Sequence, residues 1–521
     1  MDTIKVYDTT LRDGSQAEGV SFSVADKLAI ATHLDKFGID YIEGGFPMSN
    51  PKEQEFFEAA RTLDLKNSKI VAFGSTRRAD STVETDISLQ ALLACGAPVV
   101  TMVGKTWDLH VTDVLKCSLE DNLTLCAESV KYIKDNNREV IFDAEHFFDG
   151  YKANPDYALA VLAAAVNSGV DVLCLCETNG GCLPHEVYDI VATVCEKFPN
   201  TTVGIHTHND TDCAVANSLA AIRAGARHVQ GTINGLGERT GNANLCTIIP
   251  NLALKFGFDM TCKDRLSSLT ELSRFLFEIA NLSPATNMPY VGESAFAHKA
   301  GLHIDAIRKN KTTYEHISPE QVGNERRFLI SELSGSANMM AKLENKNIAT
   351  DKALARKILS MVQDLENEGY QFESAEASFD ILIRKAMGTF KNSFELDKYH
   401  IDTERNDTGR IITEATVKLR VDNVTEHVVS EGDGPINALD GALRKALLSF
   451  YPNINDMHLI DYKVRVVNER AGTAARVRVV IESRDKDSIW GTVGVSENII
   501  EASWLALVDS VEYKLLKDAE K

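Results

Sequence analysis

The chain has 521 residues, room for about two to four domains, one of which could be a large barrel. Apolar residues make up 44% and charged residues 25%, as in soluble globular proteins, and the net charge is −20. That charge excludes a general nucleic-acid or anionic-membrane surface, and it requires a site for an anionic substrate to be locally positive.

The first strand is expected from Ile4 to Leu11, which leaves no room for a signal peptide ahead of it. No apolar run approaches the roughly 18 residues of a membrane span. The ten cysteines are scattered, so a reduced, cytoplasmic protein with free thiols is expected. Cys174, Cys176 and Cys182 could hold a metal through thiolates. No second CxxC pair accompanies them, and they read as buried free cysteines.

Up to about residue 255 the pattern alternates strand and helix. Further strands are expected at Tyr41–Phe46, Lys69–Gly74, Val99–Val103, Val140–Glu145, Val172–Glu177, Thr202–His208 and His228–Ile233. Between them, apolar residues recur at spacings of three and four. The helix VADKLAIATHLDKF is opened by Ser23 as N-cap and closed by Gly38, and Gly96, Gly169 and Gly225 close others in the same way. Eight such units in about 250 residues predict a (β/α)8 TIM barrel, with the active site at the C-terminal ends of its strands. A doubly wound sheet usually carries a Gly-rich phosphate turn after its first strand, and Asp8-Thr9-Thr10-Leu11-Arg12-Asp13-Gly14 is not one.

Those strand ends are polar or ionisable. The first gives Arg12, Asp13 and Gln16, the second Glu43, and the fifth Asp143 and Glu145. The sixth gives Glu177 and Thr178, the seventh His206 and His208, and the eighth the loop GLGERTGNANL with Asn242. Asp13 can hold a hard divalent metal, and Arg12 can neutralise an oxygen that becomes negative during reaction. A loop salt bridge is the plainer reading of that pair. In His206-Thr207-His208 the two imidazoles project to one side of a strand and can share one metal, although two hydrogen-bonded surface histidines would look the same. With Asp13 they make a two-His, one-carboxylate set that fits Zn, Mn, Mg, Co or Fe, and the amide oxygen of Asn242 could complete it.

YDTTLRDGSQ, IEGGFP, HTHND and GLGERTGNANL, taken in order, resemble the metal-dependent DRE-TIM acyltransferases and lyases. FDAEHFFDGY, CETNGG and FAHKAGLHIDA resemble, within that group, the isopropylmalate/citramalate/homocitrate synthases, and most closely the (R)-citramalate synthases. The resemblance covers nearly the whole chain. It implies a divalent metal on Asp13, His206 and His208, with acetyl-CoA as co-substrate and pyruvate as the 2-oxo acid. Arg12 would stabilise the enolate and alkoxide, Glu145 would act as base, and His303 would help it from the neighbouring subdomain or the other subunit of a homodimer. Gln16, Asp143, Thr178 and Tyr314 would contact substrate, Asp143 in the wall that selects the 2-oxo acid. The alternatives are 2-isopropylmalate synthase, homocitrate synthase, a lyase running the reverse cleavage, and a catalytically idle amino-acid sensor.

The resulting division is a barrel over 1–265, a helical lid and linker over 266–395, and an α+β domain over 396–521. The middle region is expected to hold two exposed helices between Ser318 and Gln371 with a hinge near Gly335. The last region reads as three strands and a helix, repeated. Its bland reading is dimerisation. The resemblance implies a LeuA-like allosteric domain that binds an amino-acid effector, isoleucine, with no nucleic-acid or membrane partner.

Overall fold

The structure is a computed structural model describing residues 3–329, 339, 343, 352–405, 409, 411–467 and 475–520. Eight parallel strands close a barrel in chain order: β1 Lys5–Asp8, β2 Tyr41–Gly45, β3 Lys69–Ser75, β4 Val99–Lys105, β5 Glu139–Glu145, β6 Val172–Glu177, β7 Thr202–Thr207 and β8 His228–Gly231. β1 pairs with β8 from Lys5↔His228 to Asp8↔Gly231, which closes the ring. The lower lumen is filled by Tyr7, Tyr41, Val71, Val99, Ile141, Val172 and Cys174. A larger apolar layer, including Ile30, Leu34, Phe56, Leu92, Val130, Leu162 and Val191, lies between strands and helices.

Helix Val24–Phe37 shows how local sequence sets the elements. Ser23 accepts from the Asp26 N–H at 3.2 Å, and the Asp26 carboxylate accepts from the Ser23 N–H at 2.8 Å. Gly38 ends the helix at φ +98°, where a side chain would be strained, and Gly96, Gly169 and Gly225 also have positive φ.

Four strands end earlier than expected, β2 by one residue at Gly45 rather than Phe46. β1 stops at Asp8 because the Asp8 carboxylate accepts from Thr10 N and Oγ1 at 3.0 and 2.8 Å. Arg12 N and Gly14 N then reach back to Thr9 O. Arg12 and Asp13 are therefore carried by a tight turn. β7 ends at Thr207, with His208 just beyond it in a bridge to Asn242, and β8 ends at Gly231 rather than Ile233.

The chain divides into two compact units, Met1–Phe296 with Ile317–Arg326 and Ala297–His316 with Arg327–Lys521. The second contains the short pair β9 Ala297–His298 and β10 Arg327–Phe328. Of the two helices expected between Ser318 and Gln371, Lys352–Glu368 is present and buries Ala355, Ile358 and Val362, and Met339 and Leu343 are the described helical residues ahead of it. Pro319–Val322 is a 3-10 turn ended by Gly323 at φ +72°. Gly335 lies outside the described residues.

The C-terminal repeat is present as β11 Glu395–Arg405, β12 Ile411–Val421, β13 Val424–Gly432 and helix Pro435–Leu447, then β14 His458–Val466, β15 Val477–Arg484, β16 Ile489–Ser496 and helix Ile499–Ala519. Each strand triplet is an antiparallel sheet in chain order. Asp422 and Asn423, both at positive φ, make the tight turn between β12 and β13, and Ala415, Val417, Leu419 and Val421 alternate onto the core side. Both repeats feed one apolar cluster, from Leu443 and Leu447 to Ile481 and Leu507. Helix Glu376–Met387 belongs to the same unit and shares a cluster with Val493 and Val495 of β16.

Candidate active site at the C-terminal mouth of the barrel

Asp13, His206 and His208 are buried and converge, each offering a ligand atom within 4.8 Å of the others. Asp13 Oδ2 lies 3.4 Å from His206 Nε2 and 3.9 Å from His208 Nε2. The turn after β1 supplies the carboxylate, and the end of β7 supplies both rings. Burial works against ionisation of Asp13, but the Arg12 charge and the His206 hydrogen bond outweigh it and hold the carboxyl well below its usual range.

Two buried polar atoms at this place have no hydrogen-bond partner, His208 Nδ1 and Asn242 Oδ1. The Asn242 amide nitrogen donates to Leu236 O at 3.1 Å, which leaves its oxygen as the free end. A Cβ at Gly237 would lie 2.2 Å from that nitrogen, so the loop needs glycine there. Two imidazoles, a carboxylate and an amide oxygen suit a borderline or hard divalent ion.

Arg12 is fixed from three sides. Its Nη1 is 3.1 Å from Asp13 Oδ2, its Nε donates to Glu43 Oε2 at 2.7 Å, and its guanidinium carbon sits 4.0 Å over the Phe73 ring. Glu43, fully buried in β2, also accepts from Tyr7 Oη at 2.6 Å and from Thr9 Oγ1. Such a guanidinium is preorganised and needs little reorganisation when charge develops beside it.

Glu145, at the end of β5, is ion-paired with Lys105 at the end of β4. Thr178 Oγ1 accepts from His146 N at 2.9 Å, which leaves its own proton free to donate. Its carbonyl accepts from Arg239 Nη2 at 2.9 Å. Asp143 is buried in the lumen, and burial pushes its carboxyl up to about 7. Gln16 is exposed in the 3-10 turn after Asp13. His303 and Tyr314 belong to the second compact unit, where their rings stack at 4.0 Å.

Several participants carried no motif. Gln230, in the middle of β8, lies 2.9 Å from His206 Nδ1 through its oxygen and 3.1 Å from Asp143 Oδ1 through its nitrogen. Thr101, outside every motif, shares a hydrogen bond beside Glu43 with Tyr7, 94 positions away. Lys105 was within reach of the sequence, since the strand-end rule that selects Glu145 also points to the residues after Val103.

Three family patterns match the chain: HMGL-like over residues 3–276, homocitrate synthase post-HMGL domain-like over 290–370, and LeuA allosteric (dimerisation) domain over 373–515. The (R)-citramalate synthase of Aquifex aeolicus is 56% identical over 100% of this chain and 99% of its own. That of Geobacter sulfurreducens is 53% identical over the same shares. The 2-isopropylmalate synthase of Methanocaldococcus jannaschii is 30% identical over 100% of this chain and 96% of its own. With a matching barrel pattern and full-length relatives above half identity, the chain belongs to the (R)-citramalate synthase family of HMGL-like barrel proteins.

Proposed function

We propose that the barrel condenses acetyl-CoA with pyruvate and hydrolyses the resulting thioester, giving (R)-citramalate and CoA. The observation that carries this reading is the meeting at one Asp13 oxygen of the Arg12 guanidinium, at 3.1 Å, with the two imidazoles of His206 and His208. The choice of pyruvate rests on five full-length relatives named (R)-citramalate synthase at 46–56% identity.

A divalent cation (Mn, Mg, Zn or Co) on Asp13, His206, His208 and Asn242 supplies Lewis-acid polarisation of a keto group when bound. Arg12 neutralises the oxyanion that forms at the former keto oxygen. Thr178 donates its free hydroxyl proton to the substrate carboxylate, and Gln16 from the mouth and Asp143 from the lumen below it contact the substrate. Glu145, held by Lys105, takes a proton from the acetyl methyl group, and the carbanion so formed attacks the keto carbon. His303, with Tyr314 against its ring, assists that transfer, as the family resemblance implies. Water then cleaves the thioester to a carboxylate and the CoA thiol.

The same reading divides the chain at about residues 265 and 395 into barrel, linker and regulatory domain. It makes the protein a cytoplasmic homodimer with isoleucine as effector of the C-terminal domain. The LeuA allosteric (dimerisation) pattern over 373–515 supports the dimer and the regulatory role. Among the described residues, no helix is long and apolar enough to cross a membrane.

The test is thiol release from acetyl-CoA with pyruvate, 2-oxoisovalerate, 2-oxobutyrate and 2-oxoglutarate, each with and without EDTA. The expected result is EDTA-sensitive release that strongly prefers pyruvate. Preference for 2-oxoisovalerate or 2-oxoglutarate would instead make it an isopropylmalate or homocitrate synthase. No release from folded, metal-loaded protein would leave a lyase or an idle sensor.

A further inference from the structure

The barrel holds a second cluster of donor atoms, two of them thiols that the condensation does not use. β6 is extended, so Cys174 and Cys176 project to one face. β5 runs beside it with Asp143 opposite Cys174. The ligand atoms of Asp143, Cys174 and Cys176 all lie within 4.8 Å of one another, and all three residues are buried. The third thiol of this segment goes elsewhere: Cys182 accepts from Lys152 Nζ at 3.3 Å.

A buried free cysteine alone is a small apolar residue and needs no ligand. Here two thiols meet a carboxyl that the spacing of the cysteines could not reveal, since Asp143 comes from the neighbouring strand. The donor chemistry also differs from that of the Asp13 cluster. Two sulfurs and one oxygen favour a soft, thiophilic ion, whereas imidazole, carboxylate and amide favour harder ones. Gln230 links the two clusters, donating to Asp143 Oδ1 at 3.1 Å and meeting His206 Nδ1 at 2.9 Å.

We propose that Asp143, Cys174 and Cys176 form a second cation site, selective for a thiophilic divalent ion such as Zn2+ or Cd2+, whose occupation inhibits the enzyme. On binding, each thiol, and the Asp143 carboxyl where it is protonated, gives up its proton to solvent, two metal–sulfur bonds form, and Asp143 adds a carboxylate oxygen. Asp143 then turns away from the Gln230 amide, and that amide no longer holds His206 in place. The binding half of the inference stands alone, and the inhibitory half rests on the proposed condensation.

The experiment titrates Cd2+ into reduced full-length protein carrying Mn2+, and reads the ultraviolet cadmium–thiolate charge-transfer band, proton release and pyruvate-dependent thiol formation. The comparison proteins are Cys174→Ala/Cys176→Ala and, as a buried thiol elsewhere in the barrel, Cys126→Ala. The wild type and Cys126→Ala should show the band, release at least two protons per ion, and lose turnover about tenfold or more. The double variant should lose the band and resist cadmium while keeping its Mn2+-dependent turnover. A band absent from the wild type, or equally strong in the double variant, overturns the site. A band without inhibition overturns the switch. Should the double variant misfold by circular dichroism, Cys176→Ser alone must weaken cadmium binding, and unchanged affinity sinks the proposal. If no 2-oxo acid supports thiol release, the condensation fails while the band still reports on the site.

Discussion

Gln230 Oε1 lies 2.9 Å from His206 Nδ1, in the lumen beneath the candidate metal cluster. The amide nitrogen points to Asp143 and to His228 Nε2, so the oxygen is the atom left to face His206. An acceptor there keeps a proton on Nδ1, so that Nε2 is the nitrogen that gives up its proton and offers its lone pair when a cation binds beside Asp13. Ligating histidines are usually oriented in this manner, and loss of the outer partner typically costs about 10- to 100-fold in metal affinity. Gln230→Leu should therefore fold and bind Mn2+ more weakly by that factor, as read by calorimetry. Unchanged affinity would show that the hydrogen bond does not orient the ring.

Arg12→Lys separates charge from geometry. Lysine keeps the positive charge, but it cannot reach Glu43, Asp13 and the Phe73 face together as the planar guanidinium does. The metal ligands are untouched, so metal occupancy and the unfolding midpoint should stay close to wild type. Turnover should fall about 10²- to 10³-fold, the scale of losing one preorganised oxyanion donor. A near-normal kcat would remove Arg12 from transition-state stabilisation.

Asp13→Ala and His208→Ala test the ligand set itself. Asp13 faces Arg12, His206 and His208 through one oxygen, so its loss also leaves Arg12 with one carboxylate partner fewer. Both variants should purify without stoichiometric metal and with almost no pyruvate-dependent thiol release. Full occupancy by elemental analysis together with normal turnover would exclude these ligands.

Much of the barrel was legible because its signals are local. Ser23 and Asp26 cap a helix within four residues, and the period of two in β12 puts Val417 and Leu419 on one face. The ligand cluster was legible for a similar reason: Asp13, His206 and His208 each sit beside a strand end, and a barrel gathers strand ends at one mouth. What the chain concealed depends on register around the ring. Gln230 reaches a partner 87 positions away, and Glu43 holds Arg12 from 31 positions away. Asp143 meets Cys174 because β5 and β6 pair at that position. Strand lengths erred where side chains intercept the backbone, as the Asp8 carboxylate does after β1.

In the second unit, Asp485 bears on acid stability. Its carboxylate accepts from Lys514 Nζ at 2.9 Å and Lys517 Nζ at 2.7 Å, and Asp485 and Lys514 are almost wholly enclosed. Burial opposes ionisation of Asp485, but the Lys517 and Lys514 hydrogen bonds outweigh it and hold the carboxyl well below its ordinary value. A carboxyl depressed on folding stabilises the native state above its unfolded pKa, about 3.9, and that stabilisation fades as pH falls below it. Asp485→Asn leaves Lys514 with Asp518 alone, at 2.9 Å. At pH 7 it should cost about 3 kcal/mol, the low end for breaking a buried pair. Denaturant unfolding followed by fluorescence would read this, because Trp490 lies under Lys517 at 4.8 Å. The gap between wild type and variant should be full at pH 7 and shrink below about pH 4. A gap that stays constant down to pH 3 would mean that packing around residue 485, and not its charge, supplies the stability.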